Sequence, residues 1–490
     1  MSVSENQGLP STTLDDEAGG TYRGKLIADL DRVVQQIDTG VEVSPHKGVI
    51  TYSFSDSAHA TGIYNNPNEG FSEPDGYSPF TEAQRAAARV GIQTWDELIA
   101  PSFKEVNGSG GADIVYANTS TGPAQAWAYY PYNYGYPKYN HLESDVWIAD
   151  PKVNGSNGQV YPGGYGLTTT IHETGHALGL SHPGAYNFSD NFDVTYDKGA
   201  EYAQDSRQYS IMSYWDAYET GASSIDWSVM RFVYSSTPMV HDIYVIQQKY
   251  GADMTTRTGD TTYGFNATAD VTNEAMRFHS GEMASVFSIW DAGGKDTIDF
   301  SGFSTPTVID LREGHYSSAG GTDHQLTLDE INANNAAAGL PARSAYLYDV
   351  YFNGVDGVNG GESWKEISGS TDYLMHDNIG IAYGAVIENA IGGSGDDVLV
   401  GNQADNTLTG NAGADRFVFQ NDASTDTITD FQTGLDKIDL SAIAGVDVSD
   451  VSYSVGQHKL FVNTDSTAGY DLTIIVQGDP VNIATDLLFA

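Results

Sequence analysis

Residues 172–182 carry three histidines and one glutamate at spacings that suit a metal centre, in the pattern H-E-x-x-H-x-x-G-x-x-H. His172 and His176 are four positions apart, so on a helix their imidazoles project from the same face and can bind one ion. Glu173 follows the first histidine, where its carboxylate can hold a water molecule without occupying a coordination position. The pattern predicts two zinc ligands and a general base on one helix.

The third histidine needs a turn in the backbone to reach the other two. Gly179 permits the left-handed conformation that ends a helix and reverses the chain, which would bring His182 back. Three nitrogen ligands leave the fourth position of a tetrahedral zinc ion open, as catalysis requires, whereas a structural zinc ion has four protein ligands. The sequence therefore predicts one catalytic zinc ion bound by His172, His176 and His182, with Glu173 as a catalytic residue.

The surrounding sequence contains the strands and helices that would position this centre. Residues 81–100 have the apolar spacing of a long amphipathic helix with Thr81 as its N-cap, and the zinc motif is expected on a helix over 167–180. Apolar or alternating runs predict strands at 49–54, 112–116, 124–130 and 145–149. Strands interleaved with two long helices indicate an α/β or α+β domain, which we assign to residues 41–255.

Residues 1–40 are expected to form a leader before this domain. The stretch from Ser11 to Gly20 has too little apolar content to fold alone. Residues 23–37 have helical spacing and could dock on the next domain. A pro-segment and a disordered tail both fit this sequence.

The chain from residue 256 onwards is rich in Gly and Asp and contains a repeat with a period of nine residues. The three units are residues 392–400, 401–409 and 410–418. Nonapeptides of this kind form parallel β-rolls that bind calcium in their turns. Each unit ends in a short strand, whose central apolar residue would point into the roll; these residues are Leu399, Leu408 and Phe417.

A calcium site is predicted between the first and third units, which would stack on the same side of the roll. Its ligands would be main-chain carbonyls and carboxylates, the oxygen-rich environment that calcium prefers. They are Gly393, Gly395, Asp397, Gly410, Ala412 and Asp415. The middle unit has Asn406 where an aspartate is expected, and no fourth turn follows, so we expect no full site on the opposite side.

The composition restricts the function further. Acidic residues outnumber basic ones by 65 to 22, which gives a net charge of −43 and a surface that repels nucleic acid and anionic membranes. There is no cysteine, so bound metal rather than disulfides would provide rigidity. No apolar run approaches the roughly 20 residues that span a bilayer, and residues 1–20 lack the basic and apolar regions of a cleaved secretory signal.

From about residue 45 to the C-terminus, these features resemble the serralysin family of secreted bacterial zinc metalloproteases, a branch of the metzincins. The motif S-I-M-S-Y-W at Ser210–Trp215 looks like the family's Met-turn. The resemblance implies that Met212 lies beneath the zinc ion and that Tyr214 is a catalytic residue that can also ligate zinc. It further implies an α+β metzincin-like catalytic domain with a mixed sheet and long helices, followed over residues 256–490 by an all-β domain, an RTX-type parallel β-roll or β-sandwich.

Three more segments resemble those that bind structural calcium ions where the family's β-roll begins, namely 256–261, 290–296 and 387–393. The implied ligands of one ion are Arg257, Gly259, Thr261, Asp291, Gly293 and Asp296. Those of a neighbouring ion are Gly294, Asp296, Val386 and Glu388. The span from about 322 to 376 is longer than this resemblance leads us to expect, and its additional material, including Tyr346–Phe352, stays unassigned.

The C-terminal residues Asp486–Ala490 place an acid before an apolar end. This is similar to the uncleaved signal that type I exporters read, which would account for the missing N-terminal signal. A last strand packed on the core would have the same local sequence. With the calcium repeats beside it, we expect export through a type I exporter and an extracellular location.

The expected function is that of a secreted, monomeric, zinc-dependent endopeptidase of broad specificity acting on proteins or peptides. The strand at 124–130 would form the edge of its cleft and pair with an extended substrate. A calcium-dependent adhesin with an inactive protease-like domain is the alternative, and it would predict a damaged ligand set. A cytoplasmic zinc hydrolase is disfavoured because cytosolic calcium would leave weak extracellular-type sites empty.

Overall fold

The computed structural model describes residues 13–57, 72–107, 112–132, 144–186, 195–279, 284–421, 423–464 and 470–490. Helices and strands alternate in the N-terminal half, whereas short strands dominate the C-terminal half. The helices are α1 (Leu30–Ile37), α2 (Glu82–Asp96), α3 (Tyr165–Ala177), α4 (Tyr196–Gly199), α5 (Val240–Tyr250), α6 (Leu328–Ala337), α7 (Ala345–Phe352), α8 (Trp364–Ile367) and α9 (Ile483–Asp486). Within these ranges, no helix combines the length and the apolar character needed to cross a membrane.

The N-terminal half is built on one mixed sheet. The strands of this half are β1 (Thr21–Tyr22), β2 (Lys25–Leu26), β3 (Val49–Phe54), β4 (Tyr77–Ser78), β5 (Ser102–Glu105), β6 (Ile114–Thr119), β7 (Ala126–Ala128), β8 (Ser144–Ala149), β9 (Ile225–Asp226) and β10 (Arg231–Phe232). Strands β1 and β2 form a separate two-stranded sheet, as do β9 and β10, and the other six form the mixed sheet. The sheet order is β5-β3-β6-β8-β7, and β4 also pairs with β6. Strands β5, β3, β6 and β8 run parallel, whereas β7 runs antiparallel to β8 at the edge. The predicted mixture of strands and long helices in this half is confirmed.

Helix α2 supports helix α3, which carries the zinc motif. Thr81 is the N-cap of α2 as predicted, because its side chain accepts a hydrogen bond from the Gln84 N–H and the Gln84 side chain bonds back to the Thr81 N–H. The helix ends one turn earlier than predicted. Trp95 Nε1 donates a 3.0 Å hydrogen bond to the Ile171 carbonyl of α3. A β-carbon at Gly91 would lie 3.1 Å from the Ile171 side chain, so this glycine permits the close approach of the two helices.

The structure describes the N-terminal segment from residue 13, and the helix of this segment begins later than predicted. Arg23 and Gly24 have φ values of 49° and 78° and turn the chain between β1 and β2. Helix α1 begins only at Leu30, because the side chain of Asp29 caps it by accepting from the Arg32 N–H. The first twelve residues of the predicted leader lie outside the described residues.

Asp15 anchors this segment at the junction of the two halves. Its carboxylate lies 3.0 Å from Nε2 of His241 in α5, and it accepts a 2.6 Å hydrogen bond from the hydroxyl of Tyr383 in the C-terminal half. The next residue, Asp16, lies 3.1 Å from Nε2 of His315. The segment therefore binds both halves of the chain.

The C-terminal half contains the predicted parallel roll. Its strands are β11 (Thr262–Gly264), β12 (Phe287–Ile289), β13 (Thr297–Asp299), β14 (Val308–Asp310), β15 (Tyr316–Ser317), β16 (Ile379–Ile381), β17 (Asn389–Ile391), β18 (Val398–Val400), β19 (Thr407–Thr409), β20 (Arg416–Val418), β21 (Thr425–Phe431), β22 (Lys437–Asp439), β23 (Val451–Ser454), β24 (Lys459–Val462), β25 (Leu472–Gly478) and β26 (Leu487–Leu488). The order is β11-β13-β17-β19-β21-β25-β24-β23 in one sheet and β14-β18-β20-β22-β26 in another. Successive nine-residue units alternate between the sheets, and Leu399, Leu408 and Phe417 are fully buried as predicted.

The expectation that the C-terminal half is all-β is wrong for residues 322–376. This unassigned span contains α6, α7 and α8. Their aromatic side chains pack on the N-terminal half, with ring centroids 5.2 Å apart for Trp227 and Phe352 and 4.9 Å apart for Phe232 and Trp364. Ser344 caps α7 by accepting from the Leu347 N–H, so a start signal for this helix was present in the sequence.

The C-terminus forms the last strand of the roll. Strand β26 pairs in parallel with β22, with Leu487 opposite Ile438. Asp486 is buried and accepts hydrogen bonds from the Thr433 hydroxyl at 2.6 Å and the Asn482 N–H at 2.9 Å. In the folded protein these residues therefore pack on the core.

Candidate metal centre

Helix α3 carries His172 and His176, and the chain reverses directly after it. The helix spans residues 165–177 and so ends before the predicted position. Gly179 has a φ of +93°, and a β-carbon there would clash with the Val41 carbonyl. Both the left-handed backbone and the close approach of Val41 therefore require glycine at this position.

The three imidazoles converge through their Nε2 atoms. His182 Nε2 lies 3.2 Å from His172 Nε2 and 3.1 Å from His176 Nε2. The Nδ1 atoms of His172 and His176 lie 2.8 Å and 2.7 Å from the carbonyls of Ile211 and Leu180. A carbonyl can only accept, so these two Nδ1 atoms carry protons and the corresponding Nε2 atoms present lone pairs. Among the residues that the structure describes, this trio is the cluster of side chains suited to hold a metal ion.

Burial keeps these imidazoles neutral. It lowers the pKa of His172 to about 3, with His176 adding to the effect, and it lowers the pKa of His176 to about 4. Burial, together with the other two histidines, also lowers the pKa of His182. His182 Nε2 can donate a proton to only one of its two neighbours, so hydrogen bonding cannot satisfy all three nitrogens. Three neutral nitrogen donors around one point fit a zinc ion.

Glu173 is the second buried polar group at this centre. The residue is 5% exposed, and its Oε2 atom has no hydrogen-bond partner within the described part of the chain. Burial raises the pKa of Glu173 to about 8. An unpaired buried carboxylate is unfavourable for stability, so its position beside three imidazoles indicates a role in chemistry. A pKa near neutrality suits a group that accepts and releases a proton.

Met212 lies beneath helix α3, where the resemblance placed it. It is fully buried, and a β-carbon at Gly175 would lie only 2.7 Å from the Met212 sulfur. Asp242 of α5 holds this turn, because it accepts 2.6 Å hydrogen bonds from the Ser210 hydroxyl and the Ile211 N–H. Burial raises the pKa of Asp242 to about 6.

Tyr214 stands next to the predicted ligands. The centroid of its ring lies 4.4 Å from that of His182 and 6.2 Å from that of His172. Burial, followed by the charge of Glu173, raises the pKa of Tyr214. The phenol therefore stays protonated at neutral pH and can donate a hydrogen bond.

Two residues that position Tyr214 could not be identified from the sequence. The Tyr186 hydroxyl donates a 3.2 Å hydrogen bond to Asp205 and accepts a 3.4 Å bond from the Tyr214 N–H. Asp205 is fully buried and also accepts from the Ser213 hydroxyl at 2.7 Å and Trp215 Nε1 at 3.2 Å. Burial raises the pKa of Asp205 to about 7. Neither Tyr186 nor Asp205 lies in the zinc motif or the Met-turn, so no local pattern identifies them.

A cleft of about 460 Å³ opens beside Glu173. Strand β7, at the centre of the predicted strand 124–130, runs along it as an edge strand that pairs only with β8 among the described strands. Just after β7, the ring of Tyr130 lies 5.6 Å from that of His176, a neighbour that the sequence did not reveal. Other cleft residues include Gln125, Ala126, Tyr165, Thr168, Arg207 and Tyr214.

The three segments for which the resemblance implied calcium meet where the roll begins. Asp296 Oδ1 accepts a 2.7 Å hydrogen bond from the Thr261 N–H, and the Asp296 N–H donates a 2.7 Å bond to Glu388. Asp296 Oδ2 is buried and has no hydrogen-bond partner within the described ranges. Burial, with the charges of Asp291 and Glu388, raises the pKa of Asp296 to about 7. An unpaired oxygen among converging carboxylates fits a calcium ion.

The glycines of these segments permit their close contact. Gly294 has a φ of +156°, and a β-carbon there would clash with the Gly259 carbonyl. Asp291 accepts a 2.9 Å hydrogen bond from the Gly293 N–H. The segments brought together contain Arg257, Gly259, Thr261, Asp291, Gly293, Gly294, Asp296, Val386 and Glu388.

The first and third repeat units stack as predicted. Strands β18 and β20 pair in parallel, and a β-carbon at Gly413 would clash with the Gly395 carbonyl. Asp415 Oδ1 accepts a 3.0 Å hydrogen bond from the Asp397 N–H, whereas the buried Asp415 Oδ2 has no partner in the described part of the molecule. Burial raises the pKa of Asp415 to about 7. The stacked turns contain the predicted ligands Gly393, Gly395, Asp397, Gly410, Ala412 and Asp415.

An amide occupies the opposite side of the roll. Asn402 Nδ2 donates hydrogen bonds to the carbonyls of Leu311 and Ile387 at 2.9 Å and 2.8 Å. Asn406 Nδ2 in turn donates to Asn402 Oδ1 at 2.8 Å. The Asn402 amide therefore satisfies two carbonyls from outside the middle turn, and the Asn406 amide satisfies an oxygen within it. The expectation that this side lacks a full calcium site stays a prediction.

Known proteins are similar to this chain over most of its length. The family model described as Peptidase M10 serralysin C terminal matches residues 252–341 and 365–487. The chain is 36% identical over 437 residues to a serralysin of Proteus mirabilis, covering 80% of this chain and 74% of that protein. It is 34% identical over 512 residues to Serralysin B of Dickeya chrysanthemi, covering 96% of this chain and 86% of that protein. It is also 34% identical over 472 residues to Metalloprotease AprA of Pseudomonas entomophila (strain L48), covering 90% of this chain and 79% of that protein.

Fold, site and relatives together define a metalloprotease. The chain belongs to the serralysin family.

Proposed function

We propose that the protein is a secreted, zinc-dependent endopeptidase of broad specificity. One observation carries the proposal: three neutral imidazoles converge beside Glu173, a buried carboxylate with an unpaired oxygen. Histidines with a purely structural role would find hydrogen-bond donors for their Nε2 lone pairs. The names of the relatives, serralysin and metalloprotease, agree with this chemistry.

Zinc would be held by Nε2 of His172, His176 and His182. The Nδ1 hydrogen bonds of His172 and His176 to backbone carbonyls fix the orientation of both rings. When bound, zinc supplies Lewis acidity to the scissile carbonyl and to water. The mixed sheet, the two long helices and Met212 beneath α3 support a metzincin-like catalytic domain over residues 41–255.

Glu173 would act as the general base. Its Oε2 atom takes the proton of the attacking water and passes it to the leaving amine nitrogen. The absence of a protein partner within the described ranges leaves this oxygen available for the water. Burial raises the pKa of Glu173, which makes its carboxylate a stronger base for this proton.

Tyr214 would stabilise the oxyanion. Its hydroxyl donates a hydrogen bond to the oxygen on which negative charge develops as the carbonyl is attacked. At rest the same phenol could ligate zinc and give way to substrate. Tyr186 and Asp205 hold the backbone of this segment and thereby position the phenol.

Substrate would bind as an extended strand along β7. The free edge of β7 presents main-chain donors and acceptors beside Glu173, and pairing of this kind reads the backbone rather than side chains. Broad specificity for protein and peptide substrates follows from this mode of binding.

Residues 256–490 would form an RTX-type domain stabilised by several calcium ions. The unpaired buried oxygens of Asp296 and Asp415 support two of the sites. Extracellular calcium at millimolar concentration would fill them after export through a type I exporter that reads the C-terminus. Residues 1–40 precede the catalytic domain as a leader, docked from residue 13 onwards, and the protein would act as a monomer.

Casein zymography tests the proposed activity. Clearing is expected for the native protein, with loss after zinc-selective chelation and recovery on addition of zinc. Glu173→Ala is the matched control, because it keeps the three histidines and removes the base. Absence of clearing by protein confirmed to hold one zinc ion would contradict the proposal and favour a calcium-dependent adhesin.

A further inference from the structure

Two arginines, Arg231 and Arg343, have no carboxylate partner among the described residues, in a chain with 65 acidic and 22 basic residues. Seven other arginines have a nitrogen within 3.7 Å of a carboxylate oxygen. Arg231 instead donates to the Asn335 side chain at 2.9 Å and to the Pro341 carbonyl at 2.5 Å. Arg343 Nε is buried and has no hydrogen-bond partner in the described structure.

The two arginines lie close together, because Arg231 donates a hydrogen bond to the carbonyl of Pro341, two residues before Arg343. Burial, followed by the charge of Arg343, lowers the pKa of Arg231. Burial also lowers the pKa of Arg343, and the side chains that oppose this effect are Tyr351 and Tyr161. Like charges held together in a partly buried place are unfavourable without a counter-charge. An anion bound between them would remove this repulsion.

A continuous row of aromatic rings connects this pair with the cleft. Tyr165, which lines the cleft, has its ring centroid 4.7 Å from that of Tyr234. The row continues from Tyr234 to Phe232 at 6.4 Å and from Phe232 to Tyr351 at 6.2 Å. The guanidinium of Arg343 lies 5.9 Å from the Tyr351 ring. An extended chain advances about 3.3 Å per residue, so about seven substrate residues reach from the cleft to Arg343.

The cleft end of the row carries a third arginine. Arg207 lines the cleft and lies 5.8 Å from the Tyr234 ring, with Asp216 as its carboxylate partner at 2.5 Å. Asp216 neutralises Arg207, so the positive charge without a counter-charge among the described residues lies at the other end of the row, at Arg231 and Arg343, in a protein whose net charge is −43. This local positive charge would attract an acidic substrate segment, which the acidic remainder of the surface repels.

Arg343 belongs to a part of the chain that the family model does not match. The matched ranges end at residue 341 and resume at residue 365, and Arg343 lies in the interval together with α7. Arg231, in contrast, lies on β10 of the N-terminal half. The interval that the family model does not match thus adds Arg343 to Arg231, which the N-terminal half already provides.

We propose that Arg231 and Arg343 bind an acidic segment of the substrate, a few residues away from the bond that is cleaved. The inference rests on the proposed endopeptidase function and specifies its substrate class: proteins in which a cluster of Asp or Glu lies within about seven residues of the cleavage site. Carboxylates suit this site because a guanidinium binds them through two parallel hydrogen bonds. Backbone pairing along β7 leaves the residues at the cleaved bond unrestricted, while the arginines select the sequence farther along.

The test compares three fluorogenic peptides that differ only in their flanks. One is neutral, one carries three glutamates on the amino side of the cleaved bond, and one carries them on the carboxyl side. One acidic peptide should have a higher kcat/KM than the neutral peptide. Arg343→Gln should lower the ratio of these two kcat/KM values about 3- to 10-fold. Arg343→Lys keeps the charge but loses the paired hydrogen bonds of the guanidinium, so its ratio should lie between those of the native protein and Arg343→Gln. The matched control is Lys104→Gln, which removes an exposed charge on β5 at the opposite edge of the sheet and should leave the ratio unchanged.

Using a ratio removes any effect of the fraction of folded enzyme. An unchanged ratio in Arg343→Gln, or an equal fall in Lys104→Gln, would overturn the inference and leave the endopeptidase proposal intact. Failure of the native protein to cleave all three peptides would instead overturn the proposed function. In that case, binding of the two labelled triglutamate peptides to Glu173→Ala, measured by fluorescence anisotropy, tests the inference by itself. The Kd of one of these peptides should rise about 3- to 10-fold when Arg343→Gln is added to Glu173→Ala. If the two peptides bind with equal Kd, the inference is refuted.

Discussion

Replacing Asp15 by Ala should destabilise the protein strongly, because this one carboxylate joins the N-terminal segment to both halves. It lies 3.0 Å from His241 Nε2, and it accepts hydrogen bonds from the Tyr383 hydroxyl at 2.6 Å and from Gln204 Nε2 at 2.8 Å. The side chain is only 9% exposed. Burial alone would raise the pKa of Asp15, but His241, Tyr383 and Gln204 outweigh it and lower the pKa below its ordinary value of 3.8.

The expected loss in the free energy of unfolding is about 3–5 kcal/mol. Hydrogen bonds to an ionised group contribute about 1.5–3 kcal/mol each, but three bonds to one carboxylate are not additive. Removing the carboxylate leaves its buried hydrogen-bonding partners unpaired, and breaking a buried pair in this way costs about 3–5 kcal/mol. This loss is a large fraction of the roughly 5–15 kcal/mol that stabilises a typical domain.

Asp16→Ala is the matched control. Asp16 also faces a histidine of the C-terminal half, His315, at 3.1 Å, but its side chain is 26% exposed. Solvent screens such a pair, so we expect a loss of only about 0–1 kcal/mol. The two variants remove adjacent carboxylates of the same segment and differ mainly in burial.

Urea unfolding followed by tryptophan fluorescence, at fixed calcium concentration, measures the difference. Equal losses for the two variants, or a loss below about 1 kcal/mol for Asp15→Ala, would refute the reasoning. The pH dependence gives a second check with Asp15→Asn. Because the folded-state pKa is depressed, the contribution of Asp15 is present above about pH 4 and is lost as the pH falls through the folded-state pKa. The difference between the native protein and Asp15→Asn should therefore shrink at lower pH, and a constant difference would contradict this assignment.

Three further predictions concern the metal sites. Glu173→Ala should lower kcat at least about 100- to 10,000-fold while one zinc ion stays bound, since only proton transfer is lost. Metal analysis and peptide kinetics check this prediction. A kcat within about tenfold of the native value would exclude Glu173 as the base. Tyr214→Phe should lower kcat about 100-fold, or about 3 kcal/mol, with KM little changed. If KM alone rises, Tyr214 binds substrate and does not stabilise the oxyanion. Asp415→Asn should remove one calcium site and with it about 2.7 kcal/mol of stabilisation at a hundredfold excess of calcium over Kd. Thermal melts of the full chain with and without calcium measure this, and an unchanged calcium-dependent shift would show that Asp415 is not a ligand.

The zinc motif could be predicted from sequence because its geometry is local. A helix fixes the relation of His172 to His176, and Gly179 provides the turn that returns His182. The repeat was equally readable, because parallel stacking converts a nine-residue period directly into the burial of Leu399 and the corresponding residues. In both cases residues close together in the sequence determine where the functional groups lie.

The prediction of an all-β C-terminal half is wrong where helices α6, α7 and α8 occur. The apolar run in α7 stays unassigned in the sequence because the family resemblance does not account for it, although Ser344 provides an N-cap signal. Its amphipathic character appears only against Trp227, which lies more than a hundred residues earlier in the chain. The tertiary contact, rather than local propensity, decides which face of this helix is buried.

The sequence by itself was enough to recognise the zinc motif with its glutamate and the nine-residue repeat. Only the tertiary structure decided which carboxylates are buried and paired: Asp205 accepts from the Ser213 hydroxyl, Asp15 lies between the two halves, and no carboxylate of the described residues pairs with Arg231 or Arg343. The physical reason is that a charged side chain can reach any partner brought near it, so its partner depends on how distant segments pack. A helix or a repeat, in contrast, carries its geometry in its own spacing.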